Sequence, residues 1–193
     1  MAGPLRYTAL LDACVLYPAL VRDALLSLHR SCLFAVKWTS EIEKEWTGNL
    51  LANRPDLDAA QLERTCELMR SAAPDWQVEG YGDLIAGLTL PDADDRHVVA
   101  AAIRGHADCI ITTNLKDFPA DYLAQFDLEV FHPDDFIVLQ LDLDPPRALK
   151  QLKGMRQRLR NPPMDVSQFI QAFANAGLVR TAARLAEAAE LLA

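Results

Sequence analysis

Apolar residues fall along this chain in two rhythms, and the alternation between them predicts the architecture. Short apolar runs of strand length occupy residues 7–13 (YTALLDA), 33–38 (LFAVKW), 107–112 (ADCIIT) and 128–131 (LEVF), with a shorter candidate at 76–78. Between them apolar positions recur every three or four residues, as on one face of a helix. Residues 19–30 carry Leu20, Val21, Ala24, Leu25 and Leu28 on such a face, entered at Pro18, and that face is expected against the sheet. Ser40 to Glu43, SEIE, fits a capping box opening a helix with Ile42, Trp46 and Leu50 as its stripe. Glu45 lies at the stripe's edge, and Glu41 and Glu43 are expected to face solvent or to cap. Residues 58–71 repeat the pattern more weakly with Leu62, Cys66 and Met69, whereas 81–90 are too mixed to assign.

Asp94 or Asp95 then stands where the N-cap of a helix to about residue 104 belongs, its carboxylate suited to the positive end of the dipole, and Gly105 ends that helix. A short helix at 119–125 and another from Pro133 to about residue 141 follow. Strands alternating with helices imply an α/β fold: a parallel sheet flanked by helices. Pro145 and Pro146 mark the expected boundary, with one domain at 1–144 and an all-helical carboxyl-terminal extension at 145–193. In that extension residues 147–160 form a basic helix and Asn161-Pro162-Pro163 a break. Asp165 caps 166–176, Gly177 ends it, and 178–192 is amphipathic. Three helices bury little alone, so the extension is expected against the α/β body or a second subunit.

Composition narrows the class. Of 193 residues 51% are hydrophobic and 24% charged, a globular balance. The amino-terminal stretch has an aspartate inside its apolar run and reads as neither a secretory signal nor a membrane span, so a cytoplasmic protein is expected, with no membrane partner. The four cysteines are scattered through apolar segments without a C-x-x-C pair, which implies free thiols and neither a disulfide framework nor a zinc site. A net charge of −8 argues against nonspecific coating of nucleic acid. Its distribution is uneven: residues 118–144 hold seven acids and no Lys or Arg, and residues 147–160 hold six basic residues and no acid. Such a patch can hold phosphates or dock on an acidic partner.

Acids recur where strands end and helices begin. Asp12 near the end of the first strand either caps the following turn or faces the crevice outside the sheet. Glu45, Asp92, Asp95 and Asp117 sit at comparable junctions. Carboxylates gathered at one sheet edge would raise one another's pKa unless a cation neutralised them, and hard oxygen donors without a His or Cys cluster select Mg²⁺ or Mn²⁺. Two such ions about 3.5–4 Å apart serve phosphodiester hydrolysis, and a metal-dependent nuclease follows.

The residues LLDACVLYP around Asp12, TSEIEKEW with Glu45, PDADDRHVVAAAI with Asp95 and ADCIITTNLKDFP with Asn114 and Asp117 occur in the order found in PIN domains. Over roughly residues 5–141 the chain resembles that family, and within it the VapC-type ribonuclease toxins of bacterial toxin–antitoxin pairs, in a longer subgroup with a carboxyl-terminal helical extension. The resemblance implies that Asp12, Glu45 and Asp95 bind metal, with Asp92 an accessory acid. Asn114 stands where many members have a fourth aspartate, so either its carbonyl ligates or Asp117 substitutes. The expected catalytic set is Asp12, Glu45, Asp95 and Asp117, and the metal set adds Asp92 and Asn114. Mg²⁺ is the expected cofactor, with Mn²⁺ an alternative.

The resemblance further implies endonucleolytic cleavage of structured RNA, tRNA or ribosomal RNA, a small cognate antitoxin protein as partner, and homodimerisation. Lys116 beside the site, and Arg147, Lys150, Lys153 and Arg156 of the basic helix, are the expected RNA contacts. Thr112 and Thr113 either support the site by hydrogen bonds or end the strand. Arg96 either touches a phosphate or pairs with a neighbouring Asp. His97 either orients a water or contacts RNA or, the reading preferred, is a helix-surface histidine with no catalytic task, and His106 and Asp108 are expected in a turn. The alternatives are a noncatalytic binding module with a degraded metal site, for which Asn114 speaks, and a housekeeping RNA-processing nuclease.

Overall fold

The computed structural model describes residues 6–160 and 162–193. Residues 1–5, and Asn161 of the expected break in the extension, lie outside the described residues. In chain order the elements are β1 (Thr8–Leu11), α1 (Ala13–Leu16), α2 (Ala19–His29), β2 (Ala35–Lys37), α3 (Ser40–Asn53), α4 (Ala59–Ala72), α5 (Gly82–Ile85), α6 (Arg96–Arg104), β3 (Cys109–Ile111), α7 (Ala120–Leu123) and β4 (Glu129–Phe131). The helices α8 (Pro133–Leu143), α9 (Pro145–Arg158), α10 (Val166–Asn175), α11 (Val179–Glu187) and α12 (Ala189–Leu192) complete the chain. None of the described helices is long and apolar enough to cross a membrane.

The four strands form one parallel sheet in the order β2-β1-β3-β4. Burial follows that order: β3 is buried throughout and β1 nearly so, whereas the edge strands keep exposed or half-buried positions. The expected strands are all present but shorter, because the residues at their ends serve turns and caps. The candidate at 76–78 is a single bridge, Trp38 to Gln77, over which the indoles of Trp38 and Trp76 stack at 4.9 Å.

Contacts gather the chain into two compact units, residues 1–17 with 35–132, and residues 18–34 with 133–193. The first holds the sheet with α1 and α3 to α7. Its α3 is capped by Thr39, whose hydroxyl accepts from the Ile42 amide, so the cap lies one residue before the expected Ser40. Glu43 does not cap and is not solvated. It is buried, accepting from Trp38 Nε1 at 3.2 Å and pairing with Arg70 of α4, which ties β2, α3 and α4 together. On α6 the run His97 to Ala102 is wholly buried, and Gly105 behind it allows close packing: a Cβ there would stand 2.8 Å from Val78 Cγ2.

The second unit is all helical. It takes in α2, whose apolar face was expected on the sheet but packs among α8, α9 and α10. Its carboxyl-terminal part takes in α8, which lies before the prolines at which the boundary is expected. Pro145 does break the helix, with Asp144 capping α9 through the Arg147 amide, yet the apolar faces of α8 and α2 need the later helices to cover them. Phe34 meets Phe136 edge-on at 4.8 Å, and Arg158 donates to Ser27 at 2.8 Å. The N-terminus of α11 has no cap of its own, and Asp134 of α8 supplies one, accepting from the Arg180 and Thr181 amides at 2.9 and 2.7 Å. The expected helix at 178–192 is interrupted at Ala188.

Candidate metal centre

Chain order places the site. From β1 the chain goes to β2 on one side, and from β3 to β4 on the other, so β1 and β3 flank a switch point. Ligands of open parallel sheets bind outside the carboxyl ends of such strands. Asp12 is the first residue after β1, and its amide donates to the Ile111 carbonyl at the end of β3. It fulfils both roles open to it. Its Oδ1 accepts from the Ala13 amide at 2.6 Å, capping α1, and its Oδ2 accepts from the Thr112 hydroxyl at 2.7 Å and the Cys14 thiol at 3.0 Å. Thr112 is fully buried and also accepts from the Asn114 amide at 3.0 Å, so one hydroxyl links the ends of β1 and β3.

Asp12, Glu45, Asp95 and Asn114 line one cavity of about 420 Å³, together with Cys14, Tyr17, Asn49 and Asn53. Asp92, Asp95 and Asp117 form a second, overlapping group in which one oxygen from each carboxylate lies within 4.8 Å of the others. Asp95 belongs to both. Asn114 reaches between them, its side-chain amide donating to Asp117. The structure therefore brings the six expected acids and amide to one place, as two groups sharing Asp95.

Asp95 differs from expectation in one respect. It precedes α6, but its backbone is already helical and its carboxylate makes no capping bond. Oδ2 is buried without a hydrogen-bond partner. Burial first, then the charges of Asp12, Asp92 and Asp117, push its pKa up to about 6, with His97 opposing. Among the described residues no Lys or Arg ion-pairs with Asp12, Asp92, Asp95 or Asp117. Clustered, uncompensated carboxylates with a buried orphan oxygen are what a divalent cation would satisfy, and an all-oxygen donor set suits Mg²⁺ or Mn²⁺. The residues present fit such an ion.

His97 lies elsewhere than expected. It is buried, 7% exposed, with Nε2 3.1 Å from Glu45 Oε1 and Nδ1 3.7 Å from Glu41 Oε2. Burial lowers its pKa, but the hydrogen bond to Glu45 and the charges of Glu45, Glu41 and Asp12 outweigh it and the net shift is upward. The signal missed was the apolar run after it, VVAAAI, which leaves α6 no solvent face at this turn. Cys14 was likewise passed over. Its thiol contacts Asp12 and Thr112, and burial, then the Asp12 charge, push it up to about 11, so it is a neutral donor and not a thiolate. All four cysteines are free.

The basic candidates divide. Lys116 is exposed on the turn between Asn114 and Asp117, and Arg147 and Lys150 are exposed on α9, Arg147 alongside Asp144 at 3.2 Å. Lys153 is half-buried. Arg156 is turned to internal work, donating to the Leu192 and Met164 carbonyls at 3.0 and 3.1 Å. Arg96 donates to the Ala93 carbonyl and pairs with no aspartate. Asp108 accepts from the Thr8 amide at 2.6 Å, extending the pairing of β1, and His106 has the positive φ of a tight turn.

Two family profiles match the chain, the PIN domain over residues 8–116 and the VapC50 C-terminal domain over residues 133–187. The second begins where α8 begins. Among curated proteins, "Putative ribonuclease VapC50" of Mycobacterium tuberculosis (strain ATCC 25618 / H37Rv) is 42% identical over 93 residues, which are 48% of this chain and 54% of that protein. The matched part thus spans about half of that relative's length. No solved structure matches.

Proposed function

Since the chain belongs to the PIN-domain family, we propose that it is a divalent-metal-dependent endoribonuclease of the VapC type, the toxin of a toxin–antitoxin pair. The observation that carries this reading is the half-buried Asp95 carboxylate, whose Oδ2 is an orphan oxygen among Asp12, Asp92 and Asp117 and which, among the described residues, ion-pairs with no Lys or Arg. Asp12, Glu45 and Asp95, with Asp92, Asn114 and Asp117, would hold Mg²⁺ or Mn²⁺. Such an ion, when bound, activates water and stabilises charge developing on a phosphodiester.

The chain's own groups then have separate tasks. Thr112, the Ala13 amide and the Cys14 thiol fix Asp12 from behind, so its carboxylate is oriented before any ligand arrives. Asn114 keeps Asp117 beside Asp95. Lys116, exposed within the same turn, would meet a phosphate of the substrate, and Arg147, Lys150 and Lys153 of α9 would supply backbone contacts. Arg156 is left out of that set because its guanidinium already serves two carbonyls. The substrate is a structured RNA, tRNA or ribosomal RNA, and a small antitoxin neutralises the protein by covering the acidic cavity.

The experiment is cleavage of total bacterial RNA by the purified protein, free of copurified antitoxin, with Mg²⁺ or Mn²⁺, with EDTA, and with Asp12→Asn and Asp95→Asn in parallel. Discrete fragments that vanish with EDTA and with both variants are expected. Fragments that persist in both variants refute the mechanism, and no cleavage by the folded protein moves the reading to a noncatalytic binding module.

A further inference from the structure

His97 is costly as a packing residue. One nitrogen, Nδ1, is buried without a hydrogen-bond partner, and a leucine or methionine in the same space would avoid that cost. Packing alone therefore gives no reason for an imidazole here. What the ring does make is a bridge between helices. From the first turn of α6 it reaches α3, where Glu41 and Glu45 stand one turn apart on the same face. Nε2 is at hydrogen-bond distance from Glu45, Nδ1 faces Glu41, and the Tyr81 hydroxyl donates to the same Glu41 oxygen at 2.8 Å.

Glu45 needs such a restraint. Its side chain is 41% exposed on a helix surface, where a glutamate with three free torsions samples several rotamers. Asp12, by contrast, is buried and held by three donors. We propose that His97 is a positioning residue that holds the Glu45 carboxylate at the cavity shared with Asp12, Asp95 and Asn114, with the charge of Glu41, itself held by the Tyr81 hydroxyl, facing the other ring nitrogen. The consequence for metal rests on the reading of Glu45 as a ligand. The restraint itself does not.

The test uses His97→Leu, which fills the space without a donor, and His97→Gln, whose amide can still donate. Three quantities are measured: Mn²⁺ affinity by calorimetry, ¹³C relaxation of the Glu45 side chain in metal-free protein, and the urea unfolding midpoint. His97→Leu is expected to weaken Mn²⁺ binding by about tenfold, to set Glu45 moving, and to leave the unfolding midpoint at or above that of the wild type. His97→Gln is expected to restore both affinity and rigidity. With Glu45→Gln already present, His97→Leu should weaken binding no further, because the two act as one unit.

An unfolded or destabilised His97→Leu would assign the residue to packing and overturn the proposal, as would a Glu45 equally rigid without the imidazole. Wild-type protein that binds Mn²⁺ no better than Asp95→Asn would instead remove the metal reading. The relaxation measurement would then still decide for or against the restraint.

Discussion

Asp95→Asn should stabilise the metal-free protein while removing its metal affinity. Asp95 titrates near 6 in the folded chain against 3.8 for an ordinary aspartate, because of burial and the charges of Asp12, Asp92 and Asp117. For a carboxylate raised in this way, the favourable contribution is complete below pH 3.8 and is lost as pH rises through 6. About two pH units at 1.36 kcal/mol each would be about 3 kcal/mol for a fully shielded group. Asp95 is only partly buried, so screening reduces this to about 1–2 kcal/mol. For a chain of this length that is roughly 3–6 °C in Tm. In EDTA at pH 7.5 the variant should therefore unfold at higher urea than the wild type, and at pH 4 the two should nearly coincide. Saturating Mn²⁺ should reverse the order at pH 7.5, since ligand at about 100 times its Kd adds about 2.7 kcal/mol to the wild type alone. Unfolding curves at the two pH values, with EDTA and with Mn²⁺, measure all of this. A variant less stable than wild type in EDTA at pH 7.5, or a gain equal at both pH values, would refute the electrostatic reasoning.

Four further outcomes are expected. Asp134→Ala should destabilise the helical unit by about 2–3 kcal/mol in urea unfolding, with Asp134→Asn milder, because α11 loses the charged acceptor for its Arg180 and Thr181 amides. Gly105→Ala should cost about 1–3 kcal/mol by the same assay, since its Cβ would meet Val78 Cγ2 at 2.8 Å and the Ala101 carbonyl at 3.0 Å. Lys116→Ala and Lys150→Ala should weaken RNA binding and flatten its salt dependence by about 0.7 per residue in log–log slope. Arg156→Ala should leave that slope unchanged and lower the unfolding midpoint, because it releases the Leu192 and Met164 carbonyls.

What could be read from the sequence was what periodicity encodes. The four parallel strands and the stripe Leu62, Cys66 and Met69 follow from spacing alone and are present. So is the cap at Asp165, which the structure extends to a capping box by the return bond of the Gln168 side chain. What could not be read depends on which surface each element meets. The apolar face of α2 has the same pattern whether it covers a sheet or other helices, so nothing in its spacing distinguishes its place beside α8 and α9 from a place on the sheet. Glu43 looked solvated for a similar reason: its partners, Trp38 Nε1 and Arg70, lie 5 and 27 residues away. The cap on α11 comes from 46 residues upstream.

The acids of the site were legible individually because each sits at a strand or helix boundary, but their environment was not. Elsewhere in the molecule acids are matched by arginines: Asp56 with Arg54, Glu43 and Glu63 with Arg70, Asp83 with Arg104, Asp142 and Glu187 with Arg184. At the ends of β1 and β3 the partners change to a hydroxyl, a thiol, backbone amides and a side-chain amide. Those groups orient carboxylates without cancelling their charge, whereas an arginine would do both. The result is a set of oriented carboxylates whose charge no Lys or Arg among the described residues neutralises by an ion pair. Asn114 takes part in this arrangement. As an aspartate it would add a further charge against Asp117, whereas its amide nitrogen donates to Asp117 and leaves the carbonyl oxygen as an uncharged acceptor.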